Sequence, residues 1–147
     1  MPPVPDTVYL DSNIVFYSVI ADREFGEACA RVLRDVDDGS IRAAASVLVV
    51  AEMANAVRKI GRAKEMERVA AALTSLPVRF QDLTESLVME GVRIARSSGI
   101  SPYDGIHAAT MADLGIRTIL SADADFDRVP GIRRIDPRHR ADRAATE

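Results

Sequence analysis

The apolar positions of this chain switch repeatedly between strand-like runs and helical spacing. Thr7-Val8-Tyr9-Leu10 is a short apolar run ending in Asp11-Ser12-Asn13, which reads as a buried strand meeting a turn. Phe25, Cys29, Val32, Leu33 and Val36 then recur at helical spacing, and Gly39 ends that helix. Ile41 to Ala45 reads as a second strand. Ser46 is placed to cap a helix carrying Val50, Met53, Ala54 and Val57, with Gly61 as its stop. Met66, Val69, Ala70 and Leu73 mark another helix, and Val78-Arg79-Phe80 a strand. Asp82, followed three residues later by Glu85, outlines a capping box for a helix through Leu87, Gly91, Ile94 and Ala95 that Ser98-Gly99 stops. Ser101-Pro102-Tyr103-Asp104 is a further start signal, with proline where the first helical residue goes. That helix runs to about Leu114, closed by Gly115. Ile116 to Leu120 reads as a fully buried strand, and Ile132 to Ile135 as the last one, after a turn at Pro130-Gly131. Strands alternating with helices predict a parallel sheet with right-handed crossovers, hence an α/β/α sandwich.

Composition narrows this picture without redirecting it. With 147 residues the chain has the size of one domain, 1–147, and its 48% apolar content suits a packed core. Aromatics make up only 5%, so that core must be built from Ala, Val, Ile and Leu. Residues 137–147 read as a polar tail that frays. A net charge of −3 argues against a general nucleic-acid coat protein, while leaving room for an enzyme that meets nucleic acid through a local patch. One cysteine forbids an intrachain disulfide and suits a reducing compartment. Met1 to Pro5 lacks the features of a signal peptide, and no stretch approaches a membrane span, so a soluble cytoplasmic protein is expected.

Four acids stand out by position. Asp11 lies at the carboxyl end of the first strand and Asp123 just beyond the end of Ile116–Leu120, on the sheet edge where open parallel sheets bind ligands. Asp104 occupies the first turn of the helix preceding that later strand. Glu52 sits inside Val47-Leu48-Val49-Val50-Ala51-Glu52-Met53-Ala54, where a lone buried carboxylate is costly and needs a partner or a metal. Each has a plainer reading: Asp11 as a turn or cap residue, Asp104 completing a capping box with Ser101, Glu52 pairing with Arg58 or Lys59, Asp123 as one of several solvated acids. Their joint placement on one rim favours a site.

At these residues the chain resembles a known family. Tyr9-Leu10-Asp11-Ser12-Asn13, Ser46 with Ala51-Glu52, Tyr103-Asp104-Gly105-Ile106-His107-Ala108-Ala109, and Ser121-Ala122-Asp123-Ala124-Asp125-Phe126 are similar to the successive motifs of PIN domains, above all the VapC toxins of bacterial toxin–antitoxin pairs. The resemblance runs from about Thr7 to Asp136. It implies a three-layer fold around a five-stranded parallel sheet, a divalent-metal endoribonuclease, a homodimer and a small antitoxin partner. The family's four acidic positions map onto Asp11, Glu52, Asp104 and Asp123.

Such carboxylates suit one or two Mg²⁺ or Mn²⁺ ions, with Asp11 and Asp104 as direct ligands and Glu52 and Asp123 holding metal-bound water or a second ion. Water activated by the ion would attack RNA phosphorus in line, leaving 5′-phosphate and 3′-hydroxyl ends. Of two residues as close as Asp123 and Asp125, only Asp123 is expected in the cluster. His107, one helical turn from Asp104, is expected in packing or outside the metal's direct ligands, and His139 in solvent. Cys29 reads as a core thiol. Ser12, Asn13, Ser46 and Ser121 are turn and cap residues that can also position ligands. Arg58, Lys59, Arg62, Lys64 and Arg68 form a basic cluster able to follow a phosphate backbone or simply solvate a helix face. Two alternatives stay open: a phosphatase with Asp11 as nucleophile, disfavoured by Asn13 where a second Asp is wanted, and a non-catalytic module whose acidic groove binds a basic peptide.

Overall fold

In the computed structural model, which describes residues 7–140, Thr7–Leu10 (β1) is the middle strand of a five-stranded, all-parallel sheet. Arg42–Ser46 (β2) and Val78–Gln81 (β3) lie to one side of it, Thr118–Leu120 (β4) and Arg133–Ile135 (β5) to the other, giving the order β3-β2-β1-β4-β5. The chain builds outward from β1 through β2 to β3, then returns to build β4 and β5. Strand order therefore reverses between β1 and β4, and the two carboxyl ends there open a crevice.

The register decides which side chains face which helices. Tyr9 is level with Ala44 on β2 and with Ile119 on β4, so these three share one face of the sheet. Tyr9 and Ile119 pack there with Met111 of the helix Pro102–Leu114 (α6) and with Phe126. The helix Glu85–Ser98 (α5) packs on α6. On the opposite face Leu10, Leu120 and Ala43 meet Ile14 of Ser12–Val19 (α1) and Cys29, Val32 and Val36 of Gly26–Asp37 (α2). Ala45 continues that face under Val49, Met53 and Val57 of Leu48–Lys59 (α3) and Val69 and Leu73 of Met66–Ser75 (α4). The three layers are those expected, and Cys29 is a core residue whose thiol burial pushes up to about 12.

Four local expectations need correction. The segment after Asp11 is not only a turn: Asp11 caps α1, which is apolar on most sides and so shows little helical periodicity. Asp82 and Glu85 do not form the capping box; Thr84 is the N-cap, its hydroxyl accepting from the Leu87 amide at 3.2 Å. At the start of the expected frayed tail, residues 137–147, Pro137–His139 instead forms one 3₁₀ turn with Pro137 buried and Arg138 stacked on Phe25, its guanidinium 4.4 Å from the ring centre. Residues 141–147 lie outside the described residues, as does the segment Met1 to Pro5 on which the signal-peptide expectation falls. The N-cap of α3 is Val47 rather than Ser46, but the Ser46 hydroxyl still accepts from the Leu48 amide at 3.1 Å, and His139 is exposed as expected.

The pairing of α5 with α6 fixes the position of Asp104, which α6 carries in its first turn. The two helices touch backbone to backbone at a pair of glycines. A Cβ on Gly105 would fall 2.0 Å from the Gly91 carbonyl oxygen, and one on Gly91 would fall 2.6 Å from the Ile106 Cα. Neither obstacle is a flexible side chain, so added volume has to force the helices apart. Gly105→Ala is accordingly expected to destabilise the protein by about 1–3 kcal/mol or more, as overpacked cores do. Urea denaturation checks this; an unchanged midpoint would mean that the helices are not held at this spacing.

Candidate active site

The site is assembled where the strand order reverses. Asp11 follows β1 directly and is 5% exposed. One of its carboxylate oxygens accepts from the Ser12 amide at 2.7 Å, which is its capping bond to α1, and the other accepts from the Ser121 hydroxyl at 2.6 Å. Ser121, fully buried just past β4, joins the two strand ends. Its oxygen also accepts from Asn13 Nδ2 at 3.2 Å and from the Asp123 amide at 2.9 Å. Asn13 Oδ1 in turn accepts from the Ala122 amide at 3.4 Å. Asn13 is therefore engaged in tying β1 to β4, and the second acid that a phosphatase of the alternative reading needs is not there.

Beyond Ser121 the chain turns through a short 3₁₀ helix, Ala124–Arg128, capped by Asp123, whose side chain accepts from the Asp125 amide at 2.9 Å. Arg134 on β5 clamps this turn with two bonds to Asp127, at 3.1 and 3.2 Å, and one to the Ser121 carbonyl at 3.1 Å. The turn brings Asp125 back beside Asp123. Carboxylate oxygens of Asp104, Asp123 and Asp125 lie within 4.8 Å of one another. Only Asp123 of this pair was expected in the cluster; neither an extended strand nor a regular α-helix follows Ser121, and a capped 3₁₀ turn brings both carboxylates beside Asp104. The signal that was available is the Ser121-x-Asp123-x-Asp125 spacing, with Phe126 buried beneath it.

Asp104 reaches the cluster from the first turn of α6, where the Ser101 hydroxyl caps its amide at 3.1 Å. Burial, then the charges of Asp123 and Asp11, push its carboxyl up to about 7. Asp11 is raised as well, mainly by burial, with His107 and Ser121 partly offsetting it. Asp11 stands outside the three-carboxylate set, but its charge acts on Asp104, and its Oδ2, which accepts from Ser121, keeps a lone pair.

Glu52 does not pair with Arg58 or Lys59. It faces inward from α3 and meets His107 of α6, Oε1 to Nε2 2.5 Å. Burial opposes protonation of His107, yet the hydrogen bond to Glu52 and the charges of Glu52, Asp11 and Asp104 outweigh it and raise its affinity for a proton. The basic cluster divides. Arg62 and Arg68 both bind Glu65, and Arg58 binds Asn55. Among the described residues Lys59 has no carboxylate within salt-bridge distance, and it lines a groove of about 570 Å³ with Ser12, Leu48, Glu52, Asn55 and Tyr103.

The donor set can hold a hard divalent cation. All its donors are oxygens, which Mg²⁺ and Mn²⁺ favour and softer metals do not. Donor atoms around an octahedral ion with ~2.1 Å bonds lie at most ~4.2 Å apart, so the three carboxylates have only to close slightly.

Comparison with known proteins decides the family. The model of the PIN domain matches residues 8–132. The chain belongs to the PIN-domain family. A VapC ribonuclease of Mycobacterium bovis and Ribonuclease VapC13 of Mycobacterium tuberculosis are each 26% identical to this PIN domain over 133 residues, covering 87% of this chain and 98% of theirs. Among solved structures, the sarcin-ricin loop cleaving toxin VapC20 of M. tuberculosis superposes with a TM-score of 0.69 at 18% identity, covering 82% of this chain and 92% of that one. VapBC2 from Rickettsia felis, bound to a DNA fragment from its promoter, gives 0.65 at 16% identity, covering 88% and 97%. At such identities these structures speak for the PIN fold alone. No helix among the described residues is long and apolar enough to cross a membrane.

The charges of this PIN domain make its stability depend on pH in a definite direction. Asp104, Asp11 and His107 all bind protons more tightly when folded than their ordinary values, so each contributes stability at low pH that is lost as pH rises through its folded value. The lowered carboxyls, Glu65, Glu90, Asp38 and Asp136, act in the opposite sense, and only below about pH 4.5. In EDTA the melting temperature is therefore expected to fall between about pH 5 and pH 8, and millimolar Mn²⁺ to restore it at pH 8. A melting temperature that rises across this range in EDTA would contradict the crowding of negative charge at this rim.

Proposed function

We propose that this PIN domain is a Mg²⁺- or Mn²⁺-dependent endoribonuclease, the toxin of a toxin–antitoxin pair, hydrolysing RNA to 5′-phosphate and 3′-hydroxyl ends. The observation that carries the reading is the convergence of Asp104, Asp123 and Asp125, with Asp11 and Glu52 beside them, at the strand-order reversal of a chain similar along most of its length to proteins named VapC ribonucleases. A bound divalent ion supplies a low-pKa water and offsets charge on the phosphate.

The chain's own residues divide the remaining work. Asp104, Asp123 and Asp125 offer oxygens to the ion. Asp11, immobilised by Ser12 and Ser121, adds fixed negative charge and holds β1 against β4. Glu52, held by His107, faces the same rim. Beside them, Tyr103 is 58% exposed, a surface on which an unpaired base can stack, and Lys59 lies in reach of a phosphate along the same groove.

The same reading gives the protein a small antitoxin whose basic segment enters the acidic rim, and a homodimeric form in the cytoplasm. Met89 and Val92, exposed on α5, supply apolar surface for such a contact. One of the structural neighbours is described as a toxin–antitoxin complex, from Klebsiella pneumoniae, which supports the partner class.

Digestion of total RNA with Mg²⁺ or Mn²⁺, against an EDTA control, followed by mapping of the cut ends, tests the activity. Cleavage undiminished by EDTA would refute the metal dependence. Asp11→Asn is expected to abolish cleavage with folding intact, because asparagine keeps the capping acceptor but not the charge. Asp123→Asn and Asp125→Asn are each expected to lower cleavage at least about tenfold at one fixed Mn²⁺ concentration. Full activity of Asp125→Asn would remove it from the ligand set.

A further inference from the structure

We propose that Tyr9 and His107 are positioning residues that fix the Glu52 carboxylate at the acidic rim through an unbroken, buried hydrogen-bond chain. The proposal rests on the reading of that rim as a divalent-ion site. The chain starts at the Ser46 amide, which donates to the Tyr9 hydroxyl oxygen at 2.9 Å. That hydroxyl lies 2.6 Å from His107 Nδ1, and His107 Nε2 lies 2.5 Å from Glu52 Oε1. Tyr9 and His107 are fully buried, and Ser46 nearly so.

Each link has a reason that packing alone does not supply. Tyr9 sits on the middle strand between Met111, Ile119 and Phe126, where a phenylalanine ring would fit without a hydroxyl to desolvate. A hydroxyl survives in such a place when its donor and acceptor functions are both used, and here they are. The Tyr9 and His107 rings meet edge to face with centroids 5.6 Å apart, which fixes the plane of the imidazole. Nε2 then presents a hydrogen to Glu52 in either charge state of the ring. When the ring is neutral, Nδ1 accepts the Tyr9 proton. When it is charged, the Tyr9 oxygen accepts from Nδ1 as well as from Ser46.

Glu52 needs such support. It is the fifth residue of α3, its side chain is 23% exposed, and the bond to His107 is its one hydrogen bond among the described residues. Left free, the side chain would move among several rotamers. Held by one oxygen, it keeps the other for the ion or its water. The chain also crosses three elements: β1, the β2–α3 junction that Ser46 forms, and α6, which carries both His107 and Asp104. Glu52 and Asp104 are thereby set at a fixed spacing from opposite sides of the sheet.

The test is Mn²⁺ affinity of the folded protein, read by electron paramagnetic resonance, with circular dichroism as the check on folding. Tyr9→Phe is expected to weaken Mn²⁺ binding about tenfold, the lower end of what loss of such outer partners costs. His107→Asn and His107→Gln separate reach from packing, since both replace the ring by an amide but only glutamine extends as far as Nε2. Asparagine is expected to weaken binding by about ten- to a hundredfold, as Glu52→Gln does, and glutamine to recover most of that loss. Wild-type affinity in both Tyr9→Phe and His107→Asn would overturn the proposal while leaving the ion site standing. A wild-type protein that binds no Mn²⁺ would overturn the ion-site reading and the proposal together. If His107→Asn does not fold, Tyr9→Phe, which removes a single oxygen, decides the matter.

Discussion

Carboxylates crowded onto one rim repel one another, and much of this fold can be understood as the means of holding them there. Two unit charges 4.8 Å apart, as the oxygens of Asp104, Asp123 and Asp125 can be, repel by about 3 kcal/mol at an effective dielectric near 20. Protonation is one way for the protein to relieve this, and burial, reinforced by the charges of Asp123 and Asp11, raises the proton affinity of Asp104. A cation is another. What the fold must prevent is the third way, in which the side chains swing apart into water.

Several constraints block that escape, each on a different element. Asp11 has both oxygens bonded and is anchored at the start of α1. Asp123 is held by Ser121 through its amide and by its own capping bond to the Asp125 amide, in a turn that Arg134 clamps from β5. Asp104 is carried on α6, whose distance from α5 is set by the contact of Gly91 with Gly105, one residue away from the carboxylate itself. Polar bonds thus fix the strand ends, while backbone contact fixes the helix. The two mechanisms fail differently: losing a hydrogen bond frees one side chain, whereas widening the glycine contact moves a whole helix end.

How much of this was legible in the sequence depends on how local each cause is. Proline at Pro102 after Ser101, glycines at Gly99 and Gly115 with positive φ, and apolar runs at strand length are local signals, and they mark real element ends. Asp11 and Asp123 stood out because strand ends in a parallel sheet converge, Glu52 because it interrupts an apolar run, and Asp104 because it lies in the first turn of a clearly marked helix. α1 was not legible as a helix, since Ile14 and Val15 are buried while neighbouring positions are half-buried, leaving no polar face to set a period. Asp125 and the His107–Glu52 pair were missed for another reason. Both depend on where the chain goes after a turn or on residues 55 positions apart, and periodicity carries no information about either. The basic cluster had two open readings, and Glu65, which lies inside it and pairs with both Arg62 and Arg68, favours the solvated helix face.

A rim of this kind is selective about what may approach it. RNA is repelled by the same carboxylates that would act on it, so the protein's net charge of −3 and the acid cluster both work against binding until a cation reverses the local sign. On the proposed reading, a cationic side chain of the antitoxin's basic segment can offset part of the same negative charge. It relieves repulsion among Asp104, Asp123 and Asp125 and pairs with them. It brings no Lewis acidity and no bound water, however, and cannot substitute for the ion in the chemistry. One electrostatic feature would then serve two opposite ends: filled by a metal the rim would be active, and filled by a partner's cationic side chain it would be relieved of repulsion but inert.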